Sequence, residues 1–480
     1  MTAILQEAEP KTNLYRDVAA RVNHLIDQGT FAAGDKLPSV RKLSAQLKVS
    51  ISTVMEAYRV LEDRGVIEAK PQSGYYVTLR SHRLPAEPET SRPSATPTSV
   101  NVCDLAAMLM RDTMRPDLLQ LGAAIPNPDH LPVAKLHRTM ASVLRRAPIE
   151  GVSYDIPPGC EALRVQIARR SLALGCALSP DEIVTTGGSQ EALNLCLRAV
   201  CQPGDTVAIE SPMYYGILQA IELLGLRALE IPTNPRGGIS IEALRYALEQ
   251  TTIKACMVIS NFNNPIGSKM PDSHKKELVE LLAERGIPLI EDDIYGDTGF
   301  AETRPIVCKA FDRQGLVMTC SSFSKTIAPG YRVGWVAPGR FQSKIEQLKL
   351  MTSLSVPTPT HLAVAEFLAE GGYDHHLRKI RRINVRQMHL MTQAIGAHFP
   401  AGTRVTHPEG GSVLWVEMPP DVDSLQLYAR AIESGMTIAP GPLFSAKGKY
   451  RNFIRVNVSF WSDRVESAVE KLGRLAGQMA

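Results

Sequence analysis

Lys325 is the residue of this chain whose surroundings most suggest chemistry. It follows a strongly apolar segment, residues 315–320, that predicts a buried strand, and Arg332 lies seven residues further on. Lysine is rarely buried unless it is paired. A lysine that is desolvated near another cation has a lowered pKa, and its neutral amine can form a Schiff base with a carbonyl compound.

Two other interpretations of Lys325 stay open on this segment alone. The simplest is a surface lysine that happens to follow a strand. The spacing Ser322-x-x-Lys325 also matches a serine β-lactamase motif. However, the same spacing recurs at Ser39–Lys42 and Ser273–Lys276, and no Ser-Asp-Asn or Lys-Thr-Gly follows. The predicted elements around Lys325 are therefore needed to distinguish these interpretations.

Apolar runs alternate with helical patterns from residue 104 to residue 480. The predicted strands are residues 182–186, 206–210, 228–231, 255–260, 288–292, 317–321 and 334–337. Near-continuous apolar strands separated by helices predict an α/β fold with a mostly parallel sheet covered on both faces. Ligands bind to such sheets outside the carboxyl ends of the strands. We therefore expect the residues that follow each strand to lie at one edge.

Different polar groups follow these strands. A glycine-rich turn, residues 187–190, opens a helix, and backbone N–H groups at a helix N-terminus bind phosphate. The other strands lead to an aromatic loop at Tyr214, an amide turn at Asn264, the carboxylate of Asp292 and the amine of Lys325. Each feature alone has an ordinary structural explanation. Together they match the groups that pyridoxal 5′-phosphate requires.

Residues 104–480 resemble the fold-type I aminotransferases. The resemblance implies that Lys325 binds pyridoxal phosphate as an internal aldimine, that Tyr214 stacks on its ring and that Asp292 binds the pyridinium nitrogen. Asn264 and Tyr295 are implied to bond the phenolic oxygen. The phosphate is implied to be held by Gly188, Ser189, Gln190, Ser322 and Arg332.

The same resemblance implies two further residues. Tyr154 matches the tyrosine that reaches the phosphate of the neighbouring subunit, which implies a homodimer with sites at the subunit interface. Arg455 matches the arginine that pairs with the carboxylate of the substrate, a task that suits a bidentate guanidinium. A salt bridge beside the strand is the alternative explanation of Arg455.

The first eighty residues differ in charge from the rest of the chain. Lysine and arginine outnumber aspartate and glutamate over residues 11–82, which suggests an acidic partner. Apolar residues at helical spacing predict three helices, with Ser39 able to cap the second and Ser50 or Ser52 the third. Two short strands complete a predicted winged helix–turn–helix: residues 66–69 and 75–78.

The periodicity alone does not separate a DNA-binding domain from a protein-interaction module. Residues 37–43, 49–58 and 71–77 resemble the DNA-binding domain of GntR regulators. The resemblance implies DNA contacts from Arg41, Ser52, Thr53 and Gly74. Ile51 and Met55 depart from it, because that family often has arginine at both positions.

These regions predict the order of the domains. The winged helix–turn–helix spans residues 11–80, and a Pro/Ser/Thr-rich segment at 81–103 is expected to be an extended linker that does not pack. The aminotransferase-like domain spans 104–480, with a large lobe at about 151–344 and a small lobe made from about 104–150 and 345–480. This combination resembles the MocR subfamily of GntR regulators.

The MocR resemblance implies a homodimeric, pyridoxal phosphate-dependent transcriptional regulator that binds two DNA half-sites. Its aminotransferase-like domain would sense pyridoxal phosphate or an amino acid, and a population shift would couple this event to DNA affinity. The alternative is an active aminotransferase that acts on amino acids and has an attached DNA-binding domain. A DNA-binding scaffold with an inactive body is disfavoured by the presence of Lys325.

Composition limits the class of protein. At 480 residues the chain is too long for one core, and 44% apolar and 21% charged residues are ordinary for a soluble protein. There is no N-terminal signal region and no apolar run of about 18 residues, so we expect a cytoplasmic location without membrane contact. The eight cysteines are scattered without a Cys-x-x-Cys motif, and neither disulfides nor a metal site is predicted.

Overall fold

The computed structural model of the protein describes residues 14–28, 30–31, 34–70, 73–78 and 84–480. The chain forms two compact units, with the boundary between Leu84 and Pro85. Within the described ranges, no helix combines the length and the apolar character that crossing a membrane requires.

The first unit contains helices and a two-stranded antiparallel hairpin: α1 (Leu14–Asp27), α2 (Val40–Leu47), α3 (Ile51–Asp63), β1 (Ile67–Lys70) and β2 (Gly74–Val77). Ser39 caps α2 by accepting a hydrogen bond from the Lys42 N–H, and Ser50 caps α3 by accepting one from the Thr53 N–H. Tyr58 of α3 is fully buried in the core of this unit. The predicted winged helix–turn–helix is confirmed.

The second unit begins with a series of helices and strands, most of which build its large sheet. In chain order they are β3 (Thr98–Ser99), α4 (Cys103–Thr113), β4 (Leu119–Gln120), α5 (Val133–Arg146), α6 (Glu161–Arg170), β5 (Val184–Thr186), α7 (Ser189–Val200), β6 (Thr206–Ser211), α8 (Tyr215–Leu223), β7 (Arg227–Asn234), β8 (Gly238–Ile239), α9 (Ile241–Gln250), β9 (Ala255–Val258), α10 (Asp272–Glu284), β10 (Leu289–Asp292), β11 (Val317–Ser322) and β12 (Gly334–Ala337).

The remaining elements of the second unit include those of the smaller lobe. They are α11 (Gln342–Thr352), α12 (Thr358–Ala369), α13 (Gly372–His398), β13 (Arg404–Val405), β14 (Val413–Glu417), α14 (Ser424–Glu433), β15 (Met436–Thr437), β16 (Ala439–Pro440), β17 (Phe453–Asn457) and α15 (Asp463–Gly477).

The large sheet has the order β3-β7-β6-β9-β10-β11-β12-β5, with β8 paired to β7. Strands β7, β6, β9, β10 and β11 are parallel neighbours, which confirms the predicted mostly parallel sheet. Strand β12 is antiparallel to both of its neighbours. The segment between β11 and β12 is too short for the helical crossover that a parallel pair needs, so β12 returns in the opposite direction.

The small lobe is an antiparallel sheet of order β13-β14-β17-β16 that shares one apolar core with α4, α13, α14 and α15. The predicted division places helices α5 and α12 in the small lobe, but both pack beside the large sheet. Leu136 of α5 and Val364 of α12 belong to a core cluster with Val333 and Trp335, beside the large sheet.

The structure contradicts the expectation that residues 81–103 do not pack. Their described part begins at residue 84, and residues 85–99, which we call the strap, are part of the second unit and pack against its other segments. The Val405 N–H donates to the Ala86 carbonyl, and the carboxylate of Glu87 accepts from the His407 N–H and from the Arg236 guanidinium. Strand β3 then pairs with β7. The segment has no apolar period because it packs through backbone groups and polar side chains.

Candidate functional site

Lys325 lies just beyond the carboxyl end of β11. Its Nζ donates to the Ala124 carbonyl at 2.5 Å and lies 5.5 Å from the centre of the Tyr295 ring. Burial, and then the positive charge of Arg455, lower the pKa of Lys325 to about 8, while Asp292 acts in the opposite direction. A neutral, nucleophilic amine is therefore accessible close to neutral pH.

Asp292 ends β10 and is only 2% exposed. Its Oδ1 atom has no hydrogen-bond partner among the described residues. Burial, and then the charge of Asp293, raise the pKa of Asp292 to about 7. A buried acceptor without a partner costs roughly 1–3 kcal/mol. The geometry therefore suits a ligand that brings a proton donor, such as a protonated ring nitrogen.

Two tyrosines lie beside this carboxylate. Tyr295 is buried, and its hydroxyl makes no hydrogen bond of standard geometry within the described part of the chain, although the Asn264 amide is its neighbour. The Tyr214 ring lies 4.8 Å from the Tyr215 ring, centre to centre. Burial raises the pKa of Tyr214 and of Tyr295, so both hydroxyls are neutral donors.

A cradle for an anion forms where β5 meets α7. Gly188 is the N-cap residue of α7 at φ +96°, and a Cβ there would lie 2.3 Å from Arg332 Nη2. The same Nη2 donates to the Gly187 carbonyl at 2.8 Å. Ser189 begins the helix, whose first N–H groups have no partner within the helix. Ser322 ends strand β11, which is separated from β5 by β12.

Gln190 differs from its implied role in one respect. Its Nε2 donates to the Gly216 carbonyl at 2.8 Å, so its side chain contacts the first turn of α8, which Tyr214 precedes. The backbone N–H of Gln190, in the first turn of α7, is then the group that suits an anion.

The sequence motifs did not identify two residues that hold this cradle. Glu191 accepts a hydrogen bond from the Gly187 N–H and lies 3.4 Å from the ammonium of Lys349, which is fully buried. Gly334 packs directly on the turn, because a Cβ there would lie 2.6 Å from the Cα of Gly188. The ion pair with Lys349 and the packing of Gly334 have no local sequence signature, since both join distant segments of the chain.

Arg455 is 0% exposed, in β17 between β14 and β16. Its guanidinium donates to Asn264 Oδ1 at 3.0 Å and to the Gly122 carbonyl, and it lies 5.0 Å from the centre of the Phe444 ring. Its Nε is buried without a partner among the described residues. No carboxylate of the described chain lies within ion-pairing distance of it, so the structure does not support the alternative of a strand-side salt bridge.

A buried cation without a counter-charge is costly. The uncompensated charge of Arg455 therefore favours an anionic ligand.

A small cavity of about 20 Å³ also adjoins Lys325 and Tyr295, with polar walls from Asn127, His130, Asn384, Ser412 and Ser459. These wall residues were not predicted, because they come from four separated segments of the chain.

Tyr154 lies at the surface of the chain and is 79% exposed. Its implied contact with a neighbouring subunit stays a prediction.

The first unit has an exposed face at the start of α3. The hydroxyl oxygen of Ser50 lies 2.8 Å from that of Ser52 and 2.7 Å from that of Thr53. Ser52, Arg41 and Gly74 are exposed, and Gly74 has φ +112° at the start of β2. These residues suit a nucleic-acid interface in position and exposure, and their contacts with DNA stay a prediction.

Two family profiles match the chain. The aminotransferase class I and II profile covers residues 153–472, and the profile of the gntR family of bacterial regulatory proteins covers residues 14–77. An uncharacterized HTH-type transcriptional regulator, YdcR of Escherichia coli (strain K12), is 39% identical over 464 residues, which span 96% of this chain and 98% of that protein. The chain belongs to the MocR subfamily of GntR regulators.

This MocR-type chain is also similar to proteins named as aminotransferases. The 2-aminoadipate transaminase of Thermus thermophilus is 30% identical over 78% of this chain and 94% of that protein. The crystal structure of LysN from Thermus thermophilus, an α-aminoadipate aminotransferase complexed with N-(5′-phosphopyridoxyl)-L-leucine, has a TM-score of 0.72 at 28% identity. The similarity covers 77% of this chain and 95% of that structure's chain.

The site fits pyridoxal 5′-phosphate, the cofactor of this MocR-type fold. The unpaired Oδ1 of Asp292 suits the ring nitrogen, and the neutral hydroxyl of Tyr295 suits the phenolic oxygen. The glycine turn at Gly188, closed by Arg332, suits the phosphate. Lys325 supplies a buried amine with a lowered pKa.

Proposed function

We propose that this chain is a DNA-binding transcriptional regulator whose aminotransferase-like unit binds pyridoxal phosphate at Lys325 and senses the cofactor or an amino acid. One observation carries the proposal. A ligand site with an unpaired buried carboxylate, Asp292, and an uncompensated buried cation, Arg455, lies in the same chain as a winged helix–turn–helix. Neither buried group has a structural purpose that accounts for its cost.

The residues of the chain have separate tasks in this proposal. Lys325 provides the amine that would attach the cofactor, and Asp292 would accept a hydrogen bond from the protonated ring nitrogen. When bound, pyridoxal phosphate supplies an electrophilic carbon and an electron sink for amino-acid chemistry. Arg455 binds and orients the carboxylate of an incoming amino acid. This carboxylate would lie near Lys325, because Asn264 contacts Arg455 and neighbours Tyr295, whose ring lies beside the Lys325 amine.

We propose that the regulator acts as a homodimer. Tyr154 is exposed on the surface and available to a second copy, in agreement with its implied role across the subunit interface. Two copies would present two winged helices, and a symmetric dimer binds two DNA half-sites.

Catalytic turnover as an aminotransferase is the second candidate function. It is favoured by the complete set of cofactor residues and by the presence of Arg455, which would bind a substrate in the same way as an effector. Amino-group transfer from a panel of amino acids to a keto acid at ordinary aminotransferase rates would establish this activity. Absence of transfer, with spectral changes on amino-acid binding, would leave sensing as the role of the site.

Two measurements test the regulatory proposal. Purified full-length protein with pyridoxal phosphate should be yellow, and Lys325→Ala should lose this absorption. DNA from upstream of the protein's own gene should bind with an affinity that falls steeply as salt rises, because phosphate contacts release counterions. A colourless reconstituted wild type would refute the cofactor attachment, and equal affinity for random DNA would refute specific regulation.

A further inference from the structure

The start of α3 exposes two large apolar side chains on one side of the helix. Ile51 is 49% exposed and Met55 is 55% exposed. Residues four positions apart lie one turn above each other on the same face of a helix. The buried face of α3 is formed by other residues, Val54, Ala57, Tyr58 and Leu61. Ile51 and Met55 therefore do not contribute to the core of the unit.

Exposed cations precede this apolar pair in the chain. Arg41, Lys42 and Lys48 of the preceding helix and turn are exposed. A second copy of the same face is a poor partner, because a symmetric contact would bring these like charges together. A polyanion such as a nucleic acid would neutralise these cations. One group on the bases of DNA would also make an apolar contact with Ile51 and Met55.

We propose that Ile51 and Met55 recognise thymine by packing against its C5 methyl group in the major groove. This inference rests on the proposed DNA-binding function and adds the base that is recognised. The thymine methyl is the apolar group on the major-groove edges of the bases, whereas guanine, cytosine and adenine present hydrogen-bonding groups. Neither Ile51 nor Met55 has a strong donor or acceptor with which to recognise those groups.

The hydroxyl groups at the start of α3 are less available to contact a base than the side chains of Ile51 and Met55. Ser50 caps α3, and its oxygen lies within 2.8 Å of the Ser52 and Thr53 hydroxyls. These short side chains are partly committed to each other and to the cap. Ile51 and Met55 are the long side chains of this stretch, so they extend further from the helix than the hydroxyls do.

The test removes single methyl groups from the DNA. Binding sites are first selected from a random duplex pool with the full-length protein and pyridoxal phosphate, and conserved thymines are then replaced one at a time by deoxyuridine. This change deletes the methyl group and keeps every hydrogen-bonding group of the base. Loss of one buried methyl lowers affinity about fourfold. We expect that loss at one or two positions of each half-site.

Variants assign the effect to the two side chains. Ile51→Ser and Met55→Gln should bind the thymine and deoxyuridine sites equally, each at its own position. Leu14→Gln, an equally exposed apolar residue on α1, is the matched control and should keep the wild-type difference. Ile51→Arg should change the preferred base at its position from thymine to guanine, since arginine pairs with guanine O6 and N7.

The outcomes separate this inference from the function on which it rests. Failure to select any sequence overturns the proposed regulatory function and this inference with it. Selected sites that bind equally well with deoxyuridine overturn the inference alone. The inference is also overturned if Ile51→Ser keeps the wild-type response to deoxyuridine. The same holds if the Ile51→Ser variant changes the oligomeric state but leaves DNA binding intact.

Discussion

Replacement of Arg455 by lysine tests the ligand site through a single side chain. The guanidinium is 0% exposed and donates to Asn264 Oδ1 and to the Gly122 carbonyl, so its orientation is determined before any ligand binds. Arg455→Lys keeps the positive charge but loses the planar fork that binds a carboxylate through two hydrogen bonds. Amino-acid affinity should fall while the fold is retained.

The expected loss of amino-acid affinity follows from burial, because Arg455 and the carboxylate of the amino acid would form a buried ion pair. Removing one partner of a buried, hydrogen-bonded charge pair costs about 2–5 kcal/mol, and about 1.4 kcal/mol corresponds to a factor of ten. Arg455→Lys should therefore lose roughly 30-fold in affinity, because it keeps the charge. Arg455→Gln, which removes the charge, should approach a loss of a thousandfold or more.

The assay is a titration of the holoprotein with amino acids, followed by the absorption of the bound cofactor. Arg451→Lys is the matched control, because Arg451 lies on the same segment but its side chain is 66% exposed and pairs with Asp423 at the surface. Thermal unfolding of each variant shows that the fold is intact. Unchanged amino-acid affinity in both Arg455 variants would refute the assignment of Arg455 as the carboxylate site.

Three further perturbations test other parts of the structure. Because the pKa of Lys325 is lowered to about 8, the rate of cofactor capture by apoprotein should rise as pH increases through 8 and then level off; a rate that keeps rising toward pH 10 would indicate an ordinary lysine. Gly334→Ala should weaken cofactor binding about fivefold or more, since overpacking costs about 1–3 kcal/mol, whereas Gly330→Ala has open space and should not. Glu87→Ala should speed hydrogen exchange of the His407 amide, and unchanged exchange would show that the strap does not depend on Glu87.

Most of the architecture could be predicted because its determinants are local. The strands of the parallel sheet are continuous apolar runs, and the observed β10, β11 and β12 agree with the predicted strands to within a residue at each end. Ser39 caps the helix that it was expected to cap, and Ser50, one of the two candidates with Ser52, caps the third helix, since capping depends on one side chain and an N–H three residues away.

The contacts that escaped prediction join distant segments. The strap was expected to be free because it lacks an apolar period, yet Glu87 binds His407 and Arg236 through polar groups. Gly334 packs on the glycine turn only after β12 pairs with β5, and Glu191, which binds the Gly187 N–H, is paired with the distant Lys349. The role of Arg455 could be inferred from its motif, but the absence of a counter-charge among the described residues is visible only in three dimensions.

We propose that ligands of the Lys325 site change the affinity of the same chain for DNA. The direct measurement is the affinity of full-length protein for its selected DNA site without cofactor, with pyridoxal phosphate, and with pyridoxal phosphate plus amino acids. We predict that the affinity changes on adding the cofactor or the amino acid, and that Lys325→Ala binds DNA without responding to either. The same affinity under all three conditions would contradict the claim.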